Sequence, residues 1–140
     1  MKWLIRLGMA LAIGLCAAQW VPPMRSSPVE RSFPEAPREI QHLLRRSCNN
    51  CHSNETQWPW YASVAPASYL IASHVKDGRQ KLNLSLWNSY DDVRKARMRK
   101  DIAKEVGSGD MPPWFYLPMH PEANLSAEER ELIVKWAKQT

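Results

Sequence analysis

The chain has 140 residues, of which 44% are hydrophobic and 24% charged, and it carries a formal net charge of +5. This length accommodates one folded domain once non-structural ends are set aside. The basic residues form no stripe interleaved with stacking aromatic rings, so we expect no nucleic-acid partner.

Residues 1–20 have the pattern of an export leader. Lys2 and Arg6 precede an apolar run over residues 7–18, which ends in small residues after Cys16. This pattern predicts a cleaved signal peptide and a periplasmic location. An uncleaved anchor in the inner membrane, facing the periplasm, is the alternative, because a tryptophan flanks each end of the run. Lipidation of Cys16 is a third interpretation.

The rest of the chain divides into a tether and a domain. Residues 21–36 hold four prolines with several serines and charges, which is typical of a tether. Residues 37–140 carry helical patterns with no strand-like alternation, so they predict an all-α domain of four to five short helices. The predicted helices cover residues 37–46, 66–78, 84–90 and 91–106, and a last helix starts at 126.

Local signals set several of these boundaries. Pro37 suits a first helical position, and Gly78 is interpreted as the end of the second helix. Ser126 and Glu129 form a capping box. The second helix is expected to place its apolar residues along one side, and these are Leu70, Ile71, His74 and Val75.

The most informative stretch is the CNNCH motif, residues 48–52. Two thiols two residues apart, followed directly by histidine, are the attachment signature of c-type haem. Cys48 and Cys51 would each add to one vinyl group of the porphyrin, and His52 would be the proximal iron ligand. The motif therefore predicts one covalently bound haem c.

Other uses of a cysteine pair fit this sequence less well. A structural zinc site needs two further ligands, usually a second cysteine pair, and none follows. A thioredoxin-like pair belongs to a strand-to-helix turn, whereas this pair follows a helix. A simple disulfide between Cys48 and Cys51 would leave His52 unexplained.

The distal iron ligand is expected to be Met111. Pro112 and Pro113 keep this methionine out of a helix and fix the backbone after it. Core filling is the ordinary role of a methionine. His120 is the alternative ligand, because it lies in the same loop and imidazole binds ferric iron more strongly. His74 is interpreted as a hydrogen-bonded core histidine, or as one that faces the dipole near the C-terminal end of its helix.

Aromatic and basic residues form two further clusters. Trp58, Trp60 and Tyr61 closely follow the CNNCH motif and are expected to pack on the porphyrin or bond its propionates. The basic run over residues 94–100 is interpreted as a solvated helix face, with docking of an acidic redox partner as the alternative.

The order of these features resembles two families. A helix, the CNNCH motif, a Met-Pro-Pro loop and a final amphipathic helix follow one another as in small class I bacterial cytochromes c. The chain resembles more closely the haem-binding-domain family of exported proteins. The matching stretches are residues 51–61, 65–69, 74–79, 82–87, 111–113 and 120–123.

The resemblance implies a cytochrome c-like helical bundle around one covalently attached haem. It implies a haem-binding or electron-transfer role and names no redox partner. We therefore expect a one-electron carrier and no enzyme. The alternatives are a haem sensor or small peroxidase-like enzyme with a displaceable sixth ligand, and a haem module that docks onto a membrane oxidoreductase.

Overall fold

The structure is a computed structural model that describes residues 2–139. Its six helices are α1 (Lys2–Gln19), α2 (Arg38–Ser47), α3 (Asn49–His52), α4 (Ala67–Lys81), α5 (Asp92–Ser108) and α6 (Ala127–Lys138). Short 3₁₀ turns occur at Trp60–Ser63, Leu84–Ser89, Leu117–Met119 and Pro121–Ala123. The described residues contain no strand, so the all-α prediction is confirmed.

Side-chain caps fix the starts of α5 and α6. The Asp91 carboxylate accepts a hydrogen bond from the Arg94 N–H at 2.7 Å. Ser126 and Glu129 form the predicted capping box, with each side chain accepting from the other residue's N–H. At the other end of α5, Gly109 adopts φ 85°, a left-handed conformation in which glycine avoids Cβ strain.

The main core lies between α2, α5 and α6, and α5 packs directly against α6. Its buried residues are Ile40, Leu43, Leu44, Ile102, Ala103, Val106, Leu125, Ile133, Trp136 and Ala137. Each fully buried aliphatic side chain of this kind stabilises the fold by about 1.5–3 kcal/mol. This core holds α2 in place, and the CNNCH motif begins directly at the end of α2.

One prediction about α4 is wrong. The helix does not end at Gly78 but continues to Lys81, and Gly78 is instead a point of close contact with the CNNCH motif. The apolar residues of α4 differ in burial: Val75 is buried, whereas Leu70 is 58% exposed. The short helix α3 was not expected, because four residues show no apolar period.

The segment over residues 21–36 contains no helix, and its second half lies against the domain. Pro34 is fully buried, and Phe33 packs on the main core below the guanidinium of Arg45. The Ser32 N–H and hydroxyl both donate to the Ser85 carbonyl at 2.9 Å. The domain therefore extends N-terminally of α2 by several residues of ordered, irregular chain.

Candidate functional site

The CNNCH motif forms one helical turn that carries all three predicted attachment groups. The N–H groups of Cys51 and His52 both donate to the Cys48 carbonyl, at 3.2 and 2.9 Å. Both thiols are free and half-buried. The turn therefore places two thiols and an imidazole together on a short rigid element at the end of α2.

His52 is held in one orientation by the end of α4. Its Nδ1 lies 2.9 Å from the Gly78 carbonyl oxygen and 3.1 Å from the Leu82 carbonyl oxygen. Because a carbonyl only accepts, Nδ1 carries the proton and Nε2 keeps its lone pair. Burial lowers the pKa of His52, which favours the neutral imidazole that metals bind.

Gly78 permits the close approach between α4 and the motif. A Cβ at this position would lie 2.6 Å from the Cys51 carbonyl oxygen and 3.2 Å from its carbon. Both atoms belong to the backbone, so no side chain can move aside. The lone glycine in a helical pattern was the available sequence signal, and it was interpreted as a helix end.

Arg79 holds the chain that follows the motif. Its Nε donates to the Ser53 carbonyl at 2.7 Å, and its Nη2 donates to the Thr56 hydroxyl at 2.9 Å. The Thr56 hydroxyl in turn donates to the Asn50 carbonyl at 2.8 Å. These bonds couple α4 to the chain that follows the motif and, through Thr56, to Asn50 within it.

His120 belongs to a hydrogen-bonded cluster with Tyr61 and Glu122. Its Nδ1 lies 3.0 Å from a Glu122 carboxylate oxygen, and its Nε2 lies 2.5 Å from the Tyr61 hydroxyl. Since a carboxylate accepts, Nδ1 donates and Nε2 accepts from the tyrosine. Both ring nitrogens of His120 are therefore engaged.

Tyr116 connects this cluster to the CNNCH motif. Its ring stacks on that of His120, with 4.0 Å between centroids and 12° between planes. Its hydroxyl accepts a hydrogen bond from Asn50 Nδ2 at 2.9 Å. Burial raises the pKa of Tyr116 to about 12, so the phenol stays protonated at neutral pH. The contact between Asn50 and Tyr116 was not predictable from the sequence, because it joins positions 66 residues apart.

Met111 is fixed by its backbone on both sides. Its N–H donates to the Glu105 carbonyl at 3.1 Å, and its carbonyl accepts from Arg130 Nη1 at 2.7 Å. The half-buried side chain packs on the main core, which Cys48 also contacts. The methionine therefore lies in a rigid loop, as its flanking prolines suggest.

The three aromatic residues predicted to contact the porphyrin, Trp58, Trp60 and Tyr61, lie in different surroundings. Tyr61 joins the His120 cluster, whereas Trp60 is 75% exposed and meets Tyr61 edge-on at 5.7 Å. Trp58 is half-buried below the guanidinium of Arg25, 5.0 Å from the ring centre. Of the three aromatic residues, only Tyr61 belongs to the cluster that reaches the CNNCH motif, through His120 and Tyr116.

The surroundings of the two thiols favour their protonated forms. Burial and the neighbouring Cys51 raise the pKa of Cys48 to about 12, and burial also raises the pKa of Cys51. Within residues 2–139, no three His, Cys, Asp or Glu side chains are grouped to hold a metal ion.

Comparison with known proteins assigns a family. Over 101 residues the chain is 29% identical to the cytochrome c peroxidase Ccp of Escherichia coli (strain K12). The match covers 69% of this chain but only 22% of that protein. No solved structure matches significantly. The model of the haem-binding domain family matches residues 13–139. The chain therefore belongs to the haem-binding domain family.

Proposed function

We propose that this protein is a monohaem c-type cytochrome that carries single electrons on the periplasmic side of the inner membrane. The observation that carries the proposal is the CNNCH turn, in which His52 Nδ1 is bonded to the Gly78 and Leu82 carbonyls and Nε2 is left as a ligand. When bound, the haem supplies one-electron redox chemistry at its iron.

The residues of the motif have distinct roles in this proposal. Cys48 and Cys51 hold the porphyrin through thioether bonds, and His52 is the proximal ligand. The carbonyls of Gly78 and Leu82 fix the tautomer and ring orientation of His52, and a bonded Nδ1–H makes Nε2 a more basic ligand.

Met111 is the preferred distal ligand, and His120 is the alternative. Both nitrogens of His120 are hydrogen-bonded, so ligation would break its bond to Tyr61. The Met111 thioether has no comparable polar partner to lose, and its backbone is fixed at both ends. A methionine ligand raises the reduction potential relative to bis-histidine ligation, which suits an electron carrier.

Export is supported by α1, an 18-residue apolar helix at the N-terminus with a mean hydropathy of 1.2. A signal peptide and a membrane anchor both have this character. Either one delivers the domain to the periplasm, where bacterial c-type maturation takes place.

Carbon monoxide binding tests the carrier function. We expect the purified ferrous protein to show no spectral change under carbon monoxide, because both axial positions are filled by side chains. Met111→Ala is expected to bind carbon monoxide readily. Rapid binding by the unsubstituted protein would contradict the carrier proposal.

A peroxidase-like enzyme is the second candidate, and the similarity to a cytochrome c peroxidase favours it. The chain spans less than a quarter of that relative's length, so the activity of the whole relative is not transferred to it. Peroxide-dependent oxidation of a reduced donor distinguishes the two. We expect no turnover above that of free haem, and sustained turnover would favour the enzyme.

A further inference from the structure

Two segments without any Asp, Glu, Lys or Arg lie beside the candidate site. They are residues 56–75 and 111–119. At the overall charged content of 24%, a segment of 20 residues would hold about five charged side chains. The rings of His74 and Phe115 bring the two segments together, with 5.1 Å between centroids. We call the surface that these two segments form the uncharged face; the Arg25 guanidinium of the preceding segment contacts it at Trp58 and at the Ala62 carbonyl.

The uncharged face exposes large apolar side chains. These are Trp60, Val64, Leu70, Trp114, Phe115 and Met119, with exposed fractions from 46% to 81%. Soluble proteins rarely expose several such residues on one surface unless a ligand, a partner or a membrane covers them. Val64 and Leu70 lie in the segment that contacts the end of α1.

The C-terminal end of α1 is fastened to this face by reciprocal hydrogen bonds. Gln19 Nε2 donates to the Ala65 carbonyl at 3.2 Å, and the Ala65 N–H donates to Gln19 Oε1 at 3.1 Å. The Tyr69 hydroxyl donates to the Ala18 carbonyl at 3.0 Å. Each bond joins positions at least 46 residues apart. These contacts fix the position of the C-terminal end of α1 on the domain.

The apolar helix and the uncharged face together point to one kind of partner, a lipid bilayer. The 18 residues of α1 span about 27 Å at 1.5 Å per residue, close to the thickness of a hydrocarbon core. None of the helix is buried in the protein. Tryptophans such as Trp20, Trp60 and Trp114 are the side chains that favour the membrane interface.

We propose that α1 stays attached as a membrane anchor and that the uncharged face rests on the lipid surface. The inference rests on α1, on its contacts with Ala65 and Tyr69, and on the exposed Val64 and Leu70 in the same segment, whether or not Trp60 also packs on the porphyrin. It would place the His120 cluster at the membrane surface, because Trp60 contacts Tyr61, which bonds His120. A membrane-embedded redox partner would then meet the domain from this side.

Spin labels on the full chain in lipid vesicles test the proposal. One label is attached at Leu70→Cys, and a matched control at Val93→Cys, which is 82% exposed on α5, both in a Cys16→Ser background. We expect the Leu70 label to collide with lipid-soluble oxygen and to be shielded from a water-soluble nickel chelate. The Val93 label is expected to behave in the opposite way.

Three outcomes would overturn the proposal. The first is equal access of the nickel chelate to the labels at Leu70 and Val93, and the second is loss of α1 from the mature protein. The third is shielding of the Leu70 label in native membranes but not in pure lipid vesicles, which would identify a protein as the partner. Haem absorbance per denatured chain reports haem attachment separately, since a thioether and a Cys48–Cys51 disulfide both prevent labelling of these two cysteines.

Discussion

The Gly78 carbonyl oxygen lies 2.9 Å from His52 Nδ1, while a Cβ at Gly78 would lie 2.6 Å from the Cys51 carbonyl oxygen. The residue that orients the imidazole is thus also the residue whose missing side chain lets α4 reach the motif. Position 78 therefore couples the packing of α4 to the geometry of the predicted iron ligand.

Gly78→Ala is expected to destabilise the protein by about 1–3 kcal/mol, the usual cost of overpacking, since the clash is with backbone. The better helix propensity of alanine offsets about 1 kcal/mol of this at most. The midpoint of urea unfolding measures the change, and haem content per purified chain measures the effect on the site.

Gly107→Ala is the matched control, because this glycine also lies in a helix and its Cβ would lie at an ordinary 3.6 Å from Val134. It should stabilise the protein by about 0.5–1 kcal/mol. Equal effects of the two substitutions would show that the contact between Gly78 and Cys51 has no special role.

Met111→Ala is expected to abolish the sulfur–iron absorption band at the red end of the ferric spectrum. Met119→Ala is the control, since Met119 lies in the same loop and is 54% exposed; its spectrum should be unchanged. If the band survives in Met111→Ala, or is never present, His120 becomes the preferred ligand.

Tyr61→Phe removes the hydroxyl that bonds His120 Nε2 at 2.5 Å. We expect a loss of about 1–2 kcal/mol in unfolding free energy, because a partly buried acceptor is left unpaired. The sulfur–iron band should persist, as Met111 is not touched. Disappearance of the band would mean that His120, released from Tyr61, replaces Met111 in the variant, or that the cluster controls ligation.

Glu129→Gln is expected to make the free energy of unfolding less dependent on pH in the acid range. The guanidinium of Arg46, 2.8 Å away, and the Ser126 N–H hold the pKa of Glu129 below its ordinary value of 4.5. A depressed folded-state pKa adds stability that is present above pH 4.5 and is lost as the pH falls through the folded value.

The difference in urea midpoint between the unsubstituted protein and Glu129→Gln should therefore be largest at pH 7 and should shrink as the pH falls below 4.5. Glutamine can still complete the capping box with Ser126. Glu131→Gln, at an exposed position of α6, controls for the change in net charge. A gap that is independent of pH would contradict the prediction.

The helices of the main core were predictable because their signals are local. Ile40, Leu43 and Leu44 recur at helical spacing and are buried. The Ser126–Glu129 capping box is complete within four residues. A period or a cap of this kind needs no knowledge of the rest of the chain.

The site's supporting contacts depend on pairs of residues far apart in sequence. The bond from His52 to Gly78 spans 26 positions, and that from Tyr61 to His120 spans 59. The apolar period of α4 does not show which of its residues are buried, because periodicity does not distinguish a protein core from an external apolar surface. The cysteines, His52 and Met111 were named from motif chemistry, and their role as haem ligands stays a prediction.

Covalent haem content tests the central claim most directly. The purified protein is denatured, extracted with acidified organic solvent, and assayed for haem that stays with the chain. We predict one haem per chain, lost in Cys48→Ser/Cys51→Ser and retained in Cys16→Ser. Haem that extracts completely from the unsubstituted protein would contradict the account.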